Sequence, residues 1–360
     1  MMKIQDTLKE RANNFTLLRL LAAMAVLYGH SYVLSLGIGR GEDPVSNFLI
    51  RFWGESLPAL AVDLFFVTSG FLVTASYLQR DSLFAFIEAR ALRIYPGLIV
   101  AVLFCVFVVG AFVTTDTAAA YFSSPATWSY IKNNSLLLKG IQFDLPSVFS
   151  NNPYPISVNG SLWTLPVELW MYFWVAVIGS LSLLKSEKAF NATFVVLCLM
   201  YAQSSNNFFI VSEPRNAQLA LLFLLGGFFY VNRNKIPLGL SGLVLLSTLV
   251  YLTTQYHFSG FLKAALFAYT VLLLALHPKL RLPSIDHWGD ISYGLYIYAF
   301  PVQQSIAYLS PQIRPLSMFV LSTIVTVALA ILSWRLVEKP ALKLKGKLSS
   351  GRHKDDVRAE

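Results

Sequence analysis

Residues 14–36, NFTLLRLLAAMAVLYGHSYVLSL, form an apolar run with an arginine near one end and a histidine well inside it. A run of about 20 apolar residues is what a helix needs to cross a hydrocarbon core. At about 100° and 1.5 Å per residue, Arg19 and His30 fall within about 20° of one helical face, roughly 16 Å apart along the axis. An ionisable ring at that depth is costly unless it faces a polar interior, so His30 is a candidate functional residue.

The rest of the chain repeats the pattern of that first run. Of its 360 residues 56% are hydrophobic and only 13% charged, against about 25% charged in a soluble domain. Charge-free runs lie between Arg19 and Arg40, Glu168 and Lys185, Lys188 and Glu213, Lys235 and Lys263, Asp290 and Arg314, and Arg314 and Arg335. The expected fold is therefore an all-α integral membrane protein, a bundle of about ten transmembrane helices. The spans fall near 15–36, 58–79, 94–114, 160–184, 190–206, 216–232, 237–255, 259–277, 290–309 and 315–337. Residues 1–13 read as a cytoplasmic N-terminal lead, 14–340 as the transmembrane domain, and 341–360 as a basic, disordered cytoplasmic tail. No internal repeat is evident.

The net charge of +9 comes from Lys and Arg at span ends and in the tail, where membrane orientation and anionic lipid place them. It therefore does not argue for a nucleic-acid partner. Lys3, Lys9, Arg11, Arg80, Arg90, Arg93 and the C-terminal lysines gather on one side, which puts both termini in the cytoplasm. Cys105 and Cys198 sit inside apolar spans and read as small buried residues. His257, His277 and His287 have no metal-site spacing.

On this topology His30, Asp63 and Glu168 all fall in the outer third of the membrane, within one or two helical turns of each other in depth. A histidine and two acids at one level suit a general base oriented by a carboxylate. Spacing alone leaves a second reading open, a polar network that pins helices together. At the opposite surface Arg90 and Arg93 share a helix face, and Arg19 lies at the same boundary. Paired arginines suit phosphate. An acyl-CoA could hold its phosphates there and extend its thioester arm up the Arg19–His30 face. The aromatic residues Trp163, Trp170 and Trp174 read as a packing face.

In sequence order, NNFTLLRLLAAMAVLYGH, AVDLFFVTSGFLVT, ARALRIYP, GSLWTLPVELWMY, ISYGLYIYAFP and VEKP resemble the motifs of the bacterial membrane-bound acyltransferase-3 family. That family includes O-acetyltransferases of lipopolysaccharide O-antigens and exopolysaccharides. The resemblance covers about residues 14–340. It implies that His30 is the essential base and Arg19 its partner in an R-x10-H motif. It likewise implies that Arg90 and Arg93 bind acyl-CoA, and that Asp63 and Glu168 orient groups, stabilise charge or bind the acceptor. Two departures stand out. Thr16 replaces an acid that many members carry before the motif arginine, and Ala299 replaces a histidine before the Phe300–Pro301 pair.

The expected function is transfer of an acyl group, most simply acetyl, from cytoplasmic acetyl-CoA to a hydroxyl of a surface or lipid-linked glycan. It would take place in the bacterial inner membrane without a metal, with His30 as base or as covalent acyl carrier. The competing class is a transporter or flippase that uses His30, Asp63 and Glu168 as a proton or substrate path. The lack of a repeat and the arginines opposite the acids speak against it.

Overall fold

The computed structural model describes residues 2–9, 13–40, 42–80, 82–155, 157–203, 209, 213–256, 259–282 and 289–346. His257, His287 and the expected tail beyond residue 346 lie outside the described residues. Among those described, the secondary structure is helical with no β-strand. A helix stands at each of the ten expected places: α1 Phe15–Leu36, α2 Leu57–Leu78, α3 Leu83–Val113, α4 Gly160–Ser180, α5 Glu187–Gln203, α6 Pro214–Val231, α7 Leu240–Leu252, α8 Ser259–Leu276, α9 Ser292–Leu309 and α10 Pro315–Leu342.

Six of these, α1, α2, α3, α4, α8 and α10, are long and apolar enough to cross a membrane, which makes the chain a multi-pass membrane protein. Two of the other four, α7 and α9, differ for evident physical reasons. Helix α7 has 13 residues, about 20 Å of rise, short of a hydrocarbon core about 30 Å thick. Helix α9 carries Gln303 and Gln304, and both are buried. A helix enclosed by protein can carry amides that lipid would exclude.

The chain packs as two compact units, one of residues 1–19, 63–86 and 167–287, the other of residues 20–62, 87–166 and 288–360. In the first unit α2 and α6 meet backbone to backbone through glycine. A Cβ on Gly70 would stand 1.9 Å from the Phe223 carbonyl oxygen, and one on Gly226 would stand 2.2 Å from that of Val67. Small residues permit such close helix approach in a membrane, where dispersion and hydrogen bonding replace the hydrophobic drive. Asn191 and Asn232 exchange amide hydrogen bonds of 2.9 and 2.8 Å, joining α5 to the end of α6. Nearby, Phe194 stacks on Phe228 at 4.3 Å. Asn14 donates to the carbonyls of Leu274 and Leu280 and accepts from the Leu282 amide, which ties the start of α1 to the end of α8.

The second unit is built on α9 and α10, which approach closely where Gly294 faces Ala330. Gln303 donates to the Leu27 carbonyl and to Ser31 Oγ, both at 2.8 Å, locking α9 to α1. Gln304 donates to the carbonyls of Tyr154 and Ser157, while Asn152 donates to the side-chain and main-chain oxygens of Gln304. The long connection before α4 is thus fastened to a helix rather than left to solvent. The short helix Pro44–Trp53 begins at Asp43, whose carboxylate accepts from the Ser46 amide and hydroxyl, and it ends at Gly54 with a φ of 88°. That side-chain cap and left-handed stop satisfy backbone groups the helix cannot pair itself.

Candidate functional site

His30 sits in a stretch of α1 whose rotation is fixed on both sides. Gly29 faces the Pro58 ring, and a Cβ there would come within 2.1 Å of it. Ser31 is fully buried and receives the Gln303 amide. The His30 ring meets the Phe300 ring edge-on, with centroids 5.3 Å apart. Its Nδ1 is sealed from solvent and has no hydrogen-bond partner among the described residues, though the residue as a whole stays partly accessible. A buried nitrogen lone pair or N–H without a partner is costly, and such an atom needs an explanation. Asp43, the cap of the short helix Pro44–Trp53, is buried beside this segment. Its Oδ2 lies 3.4 Å from where a Cβ on Gly29 would stand.

Also in the second unit, Arg93 meets two carboxylates, Asp290 at 2.5 Å and Glu338 at 3.8 Å, and its guanidinium lies 5.7 Å from the centre of the Tyr293 ring. Tyr293 in turn donates to the Ile94 carbonyl. Glu338, the acid of the VEKP motif, is only 2% exposed and accepts from Ser333. Arg90 is half-buried one turn earlier on α3. Proximity in sequence identified the two arginines but not the acids of Arg93, which come from the far end of the chain.

In the first unit Arg19 lies 5.9 Å from the centre of the Phe65 ring. Asp63 is buried and forms an ion pair with Arg215 at 2.7 Å. Arg215 stands at the start of α6, ahead of its apolar run, and the structure makes it the partner of an acid within a helix. Glu168 accepts from Ser69 at 3.1 Å and from Tyr172 at 2.5 Å. The spacing of Tyr172 from Glu168, one helical turn, is the one signal in the sequence that could have revealed that contact. Trp170 and Trp174 pack against Phe173 and Phe209 in an aromatic cluster, as the packing reading expects, whereas Trp163, read as part of the same face, lines a hollow in the second unit.

The Asp63–Arg215 pair gives a direct prediction. Removing either partner leaves the other charge poorly compensated, so the second removal should cost little after the first. Thermal unfolding in detergent of Asp63→Ala, Arg215→Ala and the double variant should give a coupling of about 1–3 kcal/mol. Strict additivity would mean that the pair contributes nothing as a pair.

Residues 13–335 match a family described as an acyltransferase domain. The O-acetyl transferase of Shigella phage Sf6 is 32% identical over 345 residues, 91% of this chain and 96% of that protein. Nodulation protein 10 of Rhizobium leguminosarum bv. viciae is 27% identical over 94% of this chain and 96% of its own length. The O-acetyltransferase OatA of Staphylococcus aureus is 24% identical over 79% of this chain, a match that spans 52% of OatA. No solved structure matches.

Proposed function

The chain belongs to the acyltransferase-3 family and is a membrane O-acyltransferase; from that premise we propose that it moves an acetyl group from acetyl-CoA to a hydroxyl of a glycan, with His30 as the base. The observation that carries the assignment is the unpartnered, sealed Nδ1 of an otherwise tightly positioned ring, in a region matching an acyltransferase domain. In this reading His30 removes the proton of the acceptor hydroxyl as its oxygen attacks the thioester carbonyl. The carbon–sulfur bond breaks, the thiolate leaves and takes a proton from the imidazolium, and CoA and an ester are the products.

The donor enters from the cytoplasmic side of the inner membrane, its phosphates held by Arg90 and Arg93 and its arm running along α1 from Arg19 towards His30. A surface or lipid-linked glycan approaches from the other side. Asp63 and Glu168 support charge in the same reaction, each already held by its own partners, Arg215 for the first and Ser69 with Tyr172 for the second.

Two measurements test this. Detergent-solubilised protein should release free CoA from acetyl-CoA only when glycan is supplied; a transporter would release none. Arg90→Ala should weaken acetyl-CoA binding about tenfold or more, the loss expected when a charge-assisted contact worth about 1.5–3 kcal/mol is removed. Arg93→Ala is the poorer probe, because it would also strand Asp290 and Glu338. Unchanged affinity in Arg90→Ala would reduce that arginine to a marker of orientation.

A further inference from the structure

Two ring contacts away from His30 lies a hollow of about 350 Å³, within the second unit, lined by Phe143, Asp144, Tyr154, Ser157, Gly160 and Trp163 among others. The link is direct: Phe300 meets His30 edge-on at 5.3 Å and Tyr154 edge-on at 5.9 Å. Gly160 makes this possible, because a Cβ there would stand 2.6 Å from the Phe300 ring.

The walls of the hollow are held from behind. Asn159 donates to the Ile297 carbonyl at 2.8 Å and accepts from the Ser161 amide, fixing the first turn of α4, where Trp163 sits, to α9. Gln304, fully buried, grips the carbonyls of Tyr154 and Ser157 at 2.9 and 2.6 Å. A site whose walls are fixed in advance loses less freedom on binding.

What the walls present is chemically mixed. Tyr154, Trp163 and Phe143 supply aromatic surface. Among the described residues the Asp144 carboxylate, which is exposed, has no ion-pair partner. Ser157 is 8% exposed, and its hydroxyl is buried without a hydrogen-bond partner among the described residues. A buried hydroxyl in that state is satisfied by a ligand that brings its own donor or acceptor.

We propose that this hollow is the acceptor subsite and that it holds a neutral sugar ring, stacked by its C–H face on Trp163 and Tyr154 and hydrogen-bonded through its hydroxyls to Asp144 and Ser157. The proposal rests on the reading of the acceptor as a glycan. A sugar ring has one apolar face and a rim of hydroxyls, which matches an aromatic wall with a carboxylate and a hydroxyl at its edge. The carboxylate disfavours a phosphate or another anion in this position. A second hollow of about 650 Å³ shares Ile38 and Pro155 with the first and leaves room for the glycan to continue.

The test uses the full-length protein in detergent, acetyl-CoA, and surface polysaccharide purified from a strain that lacks this gene, with ester formation followed at varied concentrations of each substrate. Trp163→Ala should raise the KM for polysaccharide about tenfold, the scale of one lost aromatic contact, and leave the KM for acetyl-CoA unchanged. Trp163→Phe should restore most of the loss. Asp144→Asn, a near-isosteric change at an exposed side chain, should also raise the polysaccharide KM and provides the readout should Trp163→Ala fail to fold. If the wild type is active and both Trp163→Ala and Asp144→Asn leave the polysaccharide KM unchanged, the subsite is wrong while the glycan reading stands. A rise in the KM for acetyl-CoA equal to that for polysaccharide would also overturn the subsite. A wild type that forms no ester on the polysaccharide would remove the glycan reading and the subsite together.

Discussion

Purified His30→Ala is expected to elute from size exclusion as the wild type does and to transfer acyl groups about 10²–10⁴-fold more slowly, the usual contribution of a positioned base. Folding should survive because α1 is held around this residue by other groups. Gly29 fits against Pro58, Ser31 receives Gln303, and neither contact involves the imidazole. What the variant removes is a ring edge-on to Phe300 and a nitrogen that has no partner among the described residues. Donor binding should change little, because the arginines assigned to the donor are untouched. His30→Ala acylating its glycan at the wild-type rate would show that proton removal is done elsewhere.

The second large effect is structural. Gly70→Val and Gly226→Val should each abolish the folded protein, or lower its thermal stability by about 3 kcal/mol or more, at the upper end of what overpacking costs. A Cβ at either position would overlap a carbonyl oxygen of the facing helix, Phe223 in one case and Val67 in the other. Backbone cannot swing aside as a side-chain tip can, so α2 and α6 would have to part. The measurement is the unfolding midpoint in detergent, with Gly260→Val as the control, since nothing among the described residues lies within 4 Å of a Cβ there. Unfolding midpoints equal to the control's would mean that the two helices are not in backbone contact.

The helices were legible because lipid imposes one coarse rule, apolar length, and a run such as residues 15–36 satisfies it visibly. Helix α9 was placed correctly from its flanking polar residues, but its glutamines gain meaning only once they are seen gripping Leu27, Ser31, Tyr154 and Ser157. Helix α7 is shorter than the expected span 237–255, because the charge-free run continues through polar Thr253, Thr254 and Gln255 after the apolar residues and the helix end at Leu252. The candidate residues themselves stood out because an ionisable group inside an apolar run is conspicuous. Their partners did not. Arg215 lies at the start of α6, where any arginine reads as an orientation signal, and nothing local ties it to Asp63. Glu338 sits beside Lys339 in the sequence, an ordinary surface pattern, yet it is buried and faces Arg93. Partnerships of that kind are decided by tertiary packing, which a single sequence does not display.

The central claim, acyl transfer from acetyl-CoA to a glycan hydroxyl, is tested most directly by following the label. Purified wild-type protein is reconstituted into sealed vesicles with radiolabelled acetyl-CoA on the face proposed to be cytoplasmic and surface polysaccharide on the other. The expected result is an alkali-labile ester label on the polysaccharide, matched mole for mole by free CoA and absent with His30→Ala. Polysaccharide that stays unlabelled in vesicles with active, folded protein would contradict it.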